Sequence, residues 1–87
     1  MGEKSKTIFD SRYSRIIEDL VQIRNENGLS QRSLAAKLNS SQCYVGRTET
    51  KDRRLDFIEV LDYLKQLGLS KKEIKDKMAE WLEEFVE

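Results

Sequence analysis

Two short amphipathic segments separated by a tight turn decide the fold, and they read LSQRSLAAKLNSSQCYVGRTE over residues 29–49. Ser30 is a good N-cap for the first segment, because a serine hydroxyl can accept a hydrogen bond from a free N–H in the first turn of a helix. Either Ser40 or Ser41 can cap the second segment in the same way. The stretch therefore predicts one helix over residues 31–38 and another from 42 to about 50.

The turn between these two helices favours a steep crossing. Asn39 tolerates the left-handed backbone that a tight turn needs. Ala35 stands in the middle of the first helix, where a small side chain allows a second helix to approach closely. Val45 and Thr48, three residues apart on the second helix, are expected to point inward. Two short helices joined in this way form a helix-turn-helix.

Three further amphipathic segments flank this unit. In the first, the apolar residues at positions 13, 16, 17, 20 and 21 form one buried stripe of a helix. The residues at the expected N-cap positions are Asp10 or Ser11, Asp56, and Ser70, which has a glutamate at the capping-box spacing. These segments predict helices over residues 11–25, 57–66 and 71 to the chain end.

Length and composition agree with a small all-α domain. The chain has 87 residues with no proline and four glycines, so little in it interrupts helices. Hydrophobic residues make up 38% of the chain, which is enough for one small core. We expect a five-helix fold with a central helix-turn-helix. Its parts would be a flexible arm over residues 1–8, a helix-turn-helix domain over 9–69, and a C-terminal amphipathic helix over 70–87.

The residue inventory argues against catalysis and metal binding. The chain has no histidine and one cysteine, so it lacks a Cys/His metal set. It also has no phosphate-binding glycine loop and no nucleophile motif. We expect no enzymatic activity, no metal and no cofactor. No apolar run approaches the roughly 18 residues of a membrane-spanning helix, and we see no secretory signal. With a single cysteine, the expected compartment is the cytoplasm.

Charge is distributed unevenly although the net charge is zero. Residues 1–54 carry a net charge of +4 and residues 55–87 a net charge of −4. Within residues 30–54 there are six basic and two acidic side chains. A basic half that faces nucleic acid and an acidic half turned away from it would give this distribution.

Matching residues from Gly28 to Glu49 carry a family resemblance. They are Gly28, Leu29, Ser30, Gln31, Leu34, Ala35, Leu38, Ser41, Gln42, Val45, Gly46 and Glu49. In this spacing they resemble the XRE-type, phage-repressor-like helix-turn-helix family, and the resemblance extends over about residues 13–69. Asn39 and Lys51 stand where the family commonly has glycine. Thr48 replaces a usual aliphatic residue, so the core under the second helix is expected to be looser.

The resemblance implies a sequence-specific regulator of transcription, acting as a repressor on double-stranded DNA. The start of the helix over residues 42–50 would enter the major groove, where Gln42 can bond N6 and N7 of adenine. Gln31 is similar to the family glutamine that bonds a phosphate and supports the residue at position 42. Arg47 would read guanine or hold a phosphate. The full set of expected DNA-contacting residues is Gln31, Arg32, Ser41, Gln42, Cys43, Tyr44, Arg47, Lys51, Arg53 and Arg54.

Some of these residues keep a second interpretation. Tyr44 would contact DNA or pack over the preceding helix. Cys43 would be a small exposed residue or a redox switch that blocks DNA binding when oxidised. The basic residues of 51–54 would contact phosphates or remain solvated. Arg24 and Glu49 occupy positions where related domains place a salt bridge, so the resemblance implies a structural role for them.

The C-terminal helix also has two interpretations. Four of its apolar residues are spaced by four, three and four positions, as in a coiled-coil seam. The helix would fold back on its own domain or form a homodimer that reads two half-sites about 34 Å apart, and we favour the dimer. Alternatively, the helix holds a partner protein, as in an antitoxin or accessory regulator, or the whole fold serves protein interaction with weak DNA binding. The residues expected at the dimer interface are Ile74, Met78, Trp81, Leu82 and Phe85.

Overall fold

The computed structural model describes residues 10–86, and that range contains five α-helices and no strand. The prediction of an all-α, five-helix fold is confirmed. The predicted arm over residues 1–8 lies outside the described residues. The helices are α1 (Ser11–Glu26), α2 (Gln31–Lys37), α3 (Gln42–Glu49), α4 (Phe57–Gln66) and α5 (Lys71–Phe85).

Each helix is preceded by an N-cap residue whose side-chain oxygen accepts a hydrogen bond from a backbone N–H in the first turn of that helix. This bond satisfies one N–H that would otherwise have no partner. Asp10, not Ser11, caps α1, and Ser41, not Ser40, caps α3. At the start of α4 and α5 a glutamate completes a capping box with the N-cap residue. The five N-caps are Asp10, Ser30, Ser41, Asp56 and Ser70.

Three helix ends differ by one residue from the prediction, and α5, which was predicted to reach the chain end, ends at Phe85 with Val86 as its C-cap. The first helix extends to Glu26, one residue past the predicted Asn25. The predicted helices include Leu38 and Thr50, but each of these is the C-cap residue that follows its helix. The N–H of a C-cap residue still donates to a carbonyl of the last helical turn. The apolar pattern therefore does not distinguish the C-cap residue from the final helical residue.

The turns that follow α2 and α3 use left-handed residues other than glycine. Asn39 has a φ of 59°, and this conformation lets the Ser40 N–H donate to the Ala35 carbonyl at 2.8 Å. Lys51 has a φ of 67° after α3. Asparagine adopts this conformation readily, whereas lysine does so at an energetic cost. The turn after α2 is therefore relaxed, and the turn after α3 is strained.

The core lies where α1, α2 and α3 meet α4. Its most buried side chains come from all four of these helices and from Leu67, which follows α4. Helix α3 contacts the core through Val45, which is fully buried. Burial of these apolar groups is the main stabilising contribution to so small a fold. The core side chains at most 2% exposed are Ile17, Leu20, Leu34, Val45, Thr48, Tyr63, Leu64 and Leu67.

Helix α5 packs back against its own domain. Trp81 is 6% exposed, and its Nε1 donates to Asp19 Oδ2 on α1 at 2.8 Å. Ile74 and Met78 are half-buried and pack against the same core. These contacts support the alternative in which α5 folds back on its own domain. The assignment of Ile74, Met78 and Trp81 to a dimer interface stays a prediction, and Met78 and Trp81 also line an apolar cleft between α4 and α5. Of the five residues assigned to that interface, Leu82 and Phe85 remain exposed.

No helix in the described part of the chain is both long enough and apolar enough to cross a lipid bilayer.

Candidate nucleic-acid interface

Helix α3 has one face in the core and one face in solvent. Val45 and Thr48 point inward and are 0% and 1% exposed. The buried Thr48 hydroxyl donates to the Tyr44 carbonyl at 2.8 Å, so its polar atom is satisfied within the helix. Thr48 is therefore buried with its polar atom satisfied, and the expectation of looser packing beneath α3 stays a prediction. Gln42, Cys43 and Arg47 lie on the exposed side.

A buried ion pair holds α3 to α1. Arg24 donates to the Glu49 carboxylate twice, from Nε at 2.6 Å and from Nη2 at 3.0 Å. Its Nη1 also donates to the Leu29 carbonyl at 2.7 Å. The two charged side chains are 11% and 10% exposed. A two-pronged contact of this kind is geometrically specific, so it fixes the orientation of α3 relative to α1.

Glu49 extends this network to the start of α2. Gln31 Nε2 donates to Glu49 Oε1 at 2.9 Å. The Gln31 amide is thus tied to the protein through one N–H, while its second N–H and its carbonyl oxygen remain available to a ligand. This bond was not predicted, because Gln31 and Glu49 are 18 residues apart.

The exposed ends of these elements form one shallow depression, which we call the α3 depression. It is open to solvent and brings together four of the residues predicted to contact DNA: Gln31, Gln42, Cys43 and Arg47. Gly46 and Thr50 also line it and were missed. Gly46 follows Gln42 by four residues and Thr50 follows Gly46 by four, and this spacing was the available signal, since such residues share a helix face.

Two other predicted contacts lie beside this depression. Arg32 is exposed in the first turn of α2. Ser41 is exposed, and its hydroxyl accepts from the Tyr44 N–H at 3.2 Å as the cap of α3. Within residues 10–86, Arg32 and Arg47 form no ion pair. Both guanidinium groups are therefore available to an anion.

Tyr44 and Arg53 are instead occupied within the protein. The Arg53 guanidinium lies 4.3 Å from the centre of the Tyr44 ring and pairs with Glu59 at 2.8 Å. The Tyr44 hydroxyl donates to the same Glu59 carboxylate at 3.3 Å. The bond from Arg53 lowers the pKa of Glu59, and burial raises the pKa of Tyr44. Of the two interpretations of Tyr44, these contacts favour packing, with partners in the loop after α3 and on α4.

The remaining basic residues of this loop lie against α1. Lys51 is 3.7 Å from Glu18 in a partly exposed ion pair. The Arg54 guanidinium lies 4.7 Å from the centre of the Tyr13 ring. The Tyr13 hydroxyl accepts from the Leu55 N–H at 3.1 Å, which anchors the end of the loop. The structure thus separates the basic cluster, with Arg53 turned toward α4, and Lys51 and Arg54 held along α1.

In the described residues, no three His, Cys, Asp or Glu side chains are grouped so that they could hold a metal ion. Cys43 is exposed and unpaired with another cysteine.

A solvent-facing second helix, held at a fixed angle by a short turn and a buried ion pair, defines a helix-turn-helix protein. The chain is also similar in sequence and structure to known members of this class. A helix-turn-helix family model matches residues 20–74. A solved structure described as an XRE-family like protein from Pseudomonas syringae pv. tomato str. DC3000 is 33% identical, with a TM-score of 0.75, over 97% of this chain and 98% of that chain. Curated protein sequences contain no match.

This chain belongs to the XRE-type helix-turn-helix family, whose members are DNA-binding regulators of transcription.

Proposed function

We propose that this protein is a sequence-specific repressor that reads the major groove of duplex DNA with α3. The observation that carries this proposal is the α3 depression, where Gln31, Gln42 and Arg47 converge on a solvent-facing surface. Glutamine amides can bond adenine edges, and arginine can bond guanine edges or phosphates. The buried Arg24–Glu49 pair supports a fixed approach angle for these side chains.

The phosphate contacts are assigned to basic groups around this surface. Arg32, Lys51 and Arg54 flank α3 on the sides of α2 and α1. Such contacts place the protein on the duplex without reading sequence. Arg53 is a weaker candidate than Lys51, because its ion pair with Glu59 is 2.8 Å long, whereas Lys51 lies 3.7 Å from Glu18. We assign Arg53 to loop positioning and the other three residues to phosphates.

We further propose that the protein acts as a homodimer with a two-fold axis, so that two α3 helices meet successive major grooves. The support is an apolar cleft between α4 and α5 that includes the exposed side chains Phe57, Leu82 and Phe85. Phe57 is 66% and Leu82 60% exposed, which is unusual for large apolar groups in one place. A second copy of the chain is the occupant we assign to this cleft. Capture of a different protein there would favour the antitoxin-like alternative.

The first experiment selects bound duplexes from a random library at about physiological salt, where non-specific binding is weak. We expect an enriched palindromic motif with adenine at one position of each half-site. Gln42→Ala should lose preference at that position, whereas the matched control Gln22→Ala, a glutamine on α1 bonded to Glu26, should keep it. No enrichment with the intact chain would contradict the proposal.

A further inference from the structure

Gly46 stands inside α3 without a conformational reason. Within the described residues, the glycines with positive φ are Gly28 and Gly68, so Gly46 has a backbone that any residue adopts. A glycine inside a helix makes the helix less stable than an alanine would, because glycine loses more backbone freedom than alanine when the chain folds. The local structure would therefore be more stable with alanine at position 46.

Packing does not require a glycine at this position either. A Cβ added to Gly46 would meet Gln31 Oε1 at 3.7 Å, an ordinary van der Waals contact, and no other outside atom within 4 Å. No close approach of a backbone explains the missing side chain. The fold accepts alanine here, so the reason for glycine lies outside the fold.

The missing side chain leaves space on the DNA-facing side. Gly46 lies in the α3 depression between Gln31 on α2 and the exposed residues of α3. Gln42 precedes it by one helical turn and shares its face. The surface that lines this depression is mostly carbon, although polar side chains surround it.

Gln31 cannot readily move in to fill this space. Its Nε2 donates to Glu49 at 2.9 Å, and Glu49 is itself held by Arg24. The amide that borders the depression is therefore tied to a buried ion pair. The space over Gly46 is a lasting property of the surface.

We infer that the space over Gly46 receives the 5-methyl group of a thymine in the major groove, which makes Gly46 a specificity-determining residue. This inference rests on the proposed function. In unmodified DNA, thymine is the base that presents a methyl group in this groove, and an apolar surface is its natural contact. One helical turn is about 5.4 Å and one base-pair step about 3.4 Å, so this thymine lies within about two base pairs of the adenine bonded by Gln42.

The test uses the full chain and the duplex enriched from the random library. Each thymine near the Gln42-dependent adenine is replaced in turn by deoxyuridine, which removes only the methyl group. We expect one such replacement to weaken binding about fourfold, the effect of losing one buried methyl group. Gly46→Ala should bind the thymine and deoxyuridine duplexes almost equally, while its melting temperature rises. The control Gln22→Ala, which changes an exposed side chain on α1 outside the α3 depression, should keep the preference for thymine.

The possible results separate the inference from the proposed function. If sequence-specific binding is present but no thymine is sensitive, or Gly46→Ala keeps the sensitivity, the inference is overturned and the proposed function stands. If no duplex is enriched at all, the proposed function fails and the inference fails with it.

Discussion

At the scale of the residue, Glu49 connects three helices through the hydrogen bonds that its carboxylate accepts. It accepts hydrogen bonds from Arg24 and from Gln31, and so joins α1, α2 and α3 at one point. The resemblance implied a pair between Arg24 and Glu49. The role of Gln31 in the same network follows from the three-dimensional packing of helices, which no local pattern specifies.

Removing the Glu49 carboxylate should leave a buried Arg24 without its partner. We expect Glu49→Ala to lower the free energy of unfolding by about 3–5 kcal/mol, as is usual when one member of a buried pair is lost. Urea denaturation measures the difference. Asp76→Ala is the matched control, because its pair with Lys72 is largely exposed, and it should change stability by less than about 0.5 kcal/mol. Similar losses in the two variants would contradict the structural role of the pair.

The Glu59 carboxylate makes the stability of the fold depend on pH in the acidic range. Folding lowers its pKa, first through the hydrogen bond from Arg53 and then through the backbone N–H of Asp56. A carboxylate of this kind stabilises the fold above its ordinary pKa of 4.5, and the contribution is lost as the pH falls through the lower, folded pKa. The group is partly exposed, so the contribution should be below about 1 kcal/mol.

Denaturation between about pH 5 and pH 3 tests this assignment, since that range lies around and below the ordinary carboxylate pKa. Glu59→Gln should lose less stability over this range than the intact chain does. Glu83→Gln, on an exposed part of α5, should behave like the intact chain. The assignment of Arg53 to loop positioning would be contradicted if both variants gave the same pH profile.

At the scale of the element, the five helices were predictable because their signals are local. Each N-cap and each apolar stripe lies within a few residues of the helix that it defines. The face that α5 turns inward was not predictable. Apolar residues spaced by four, three and four positions on α5 can pack equally well against a second chain or against α1 of the same chain. The bond from Trp81 to Asp19 settles the direction of that face, and it joins residues 62 positions apart.

The turn after α3 offers a test of strain at this scale. Lys51 has a φ of 67°, in a region that disfavours residues with a Cβ. Lys51→Gly should therefore be about 1 kcal/mol more stable than Lys51→Ala, since both lose the charge and the ion pair with Glu18. Thermal or urea denaturation of the two variants measures the difference directly. Equal stabilities would show that the left-handed turn is not strained.

At the scale of the whole molecule, the uneven charge distribution agrees with the placement of the helices. The net positive half contains α2 and α3, and the net negative half contains α4 and α5. That the half with α2 and α3 faces DNA stays a prediction from the sequence. It did not predict which basic groups are available, because Arg53 is occupied by Glu59 and that contact depends on how α4 packs.

The proposed dimer can be tested without disturbing the core. Sedimentation equilibrium at tens of micromolar should show a dimer for the intact chain. Leu82 is 60% exposed, so Leu82→Asp should leave the monomer folded but weaken association at least tenfold, because a charge would be buried at the interface. The control Ala36→Asp introduces the same charge at an exposed site on α2, and this variant should remain dimeric. A monomeric intact chain would exclude the proposed dimer at these concentrations.

The measurement that bears most directly on the account is an amide chemical-shift titration of the full chain with the enriched duplex. The account predicts that the largest changes lie in the first turn of α2, along α3 and in the loop over residues 50–54, with small changes in the second half of α5. Changes concentrated on α4 and α5, with α3 unaffected, would contradict the claim that α3 reads DNA.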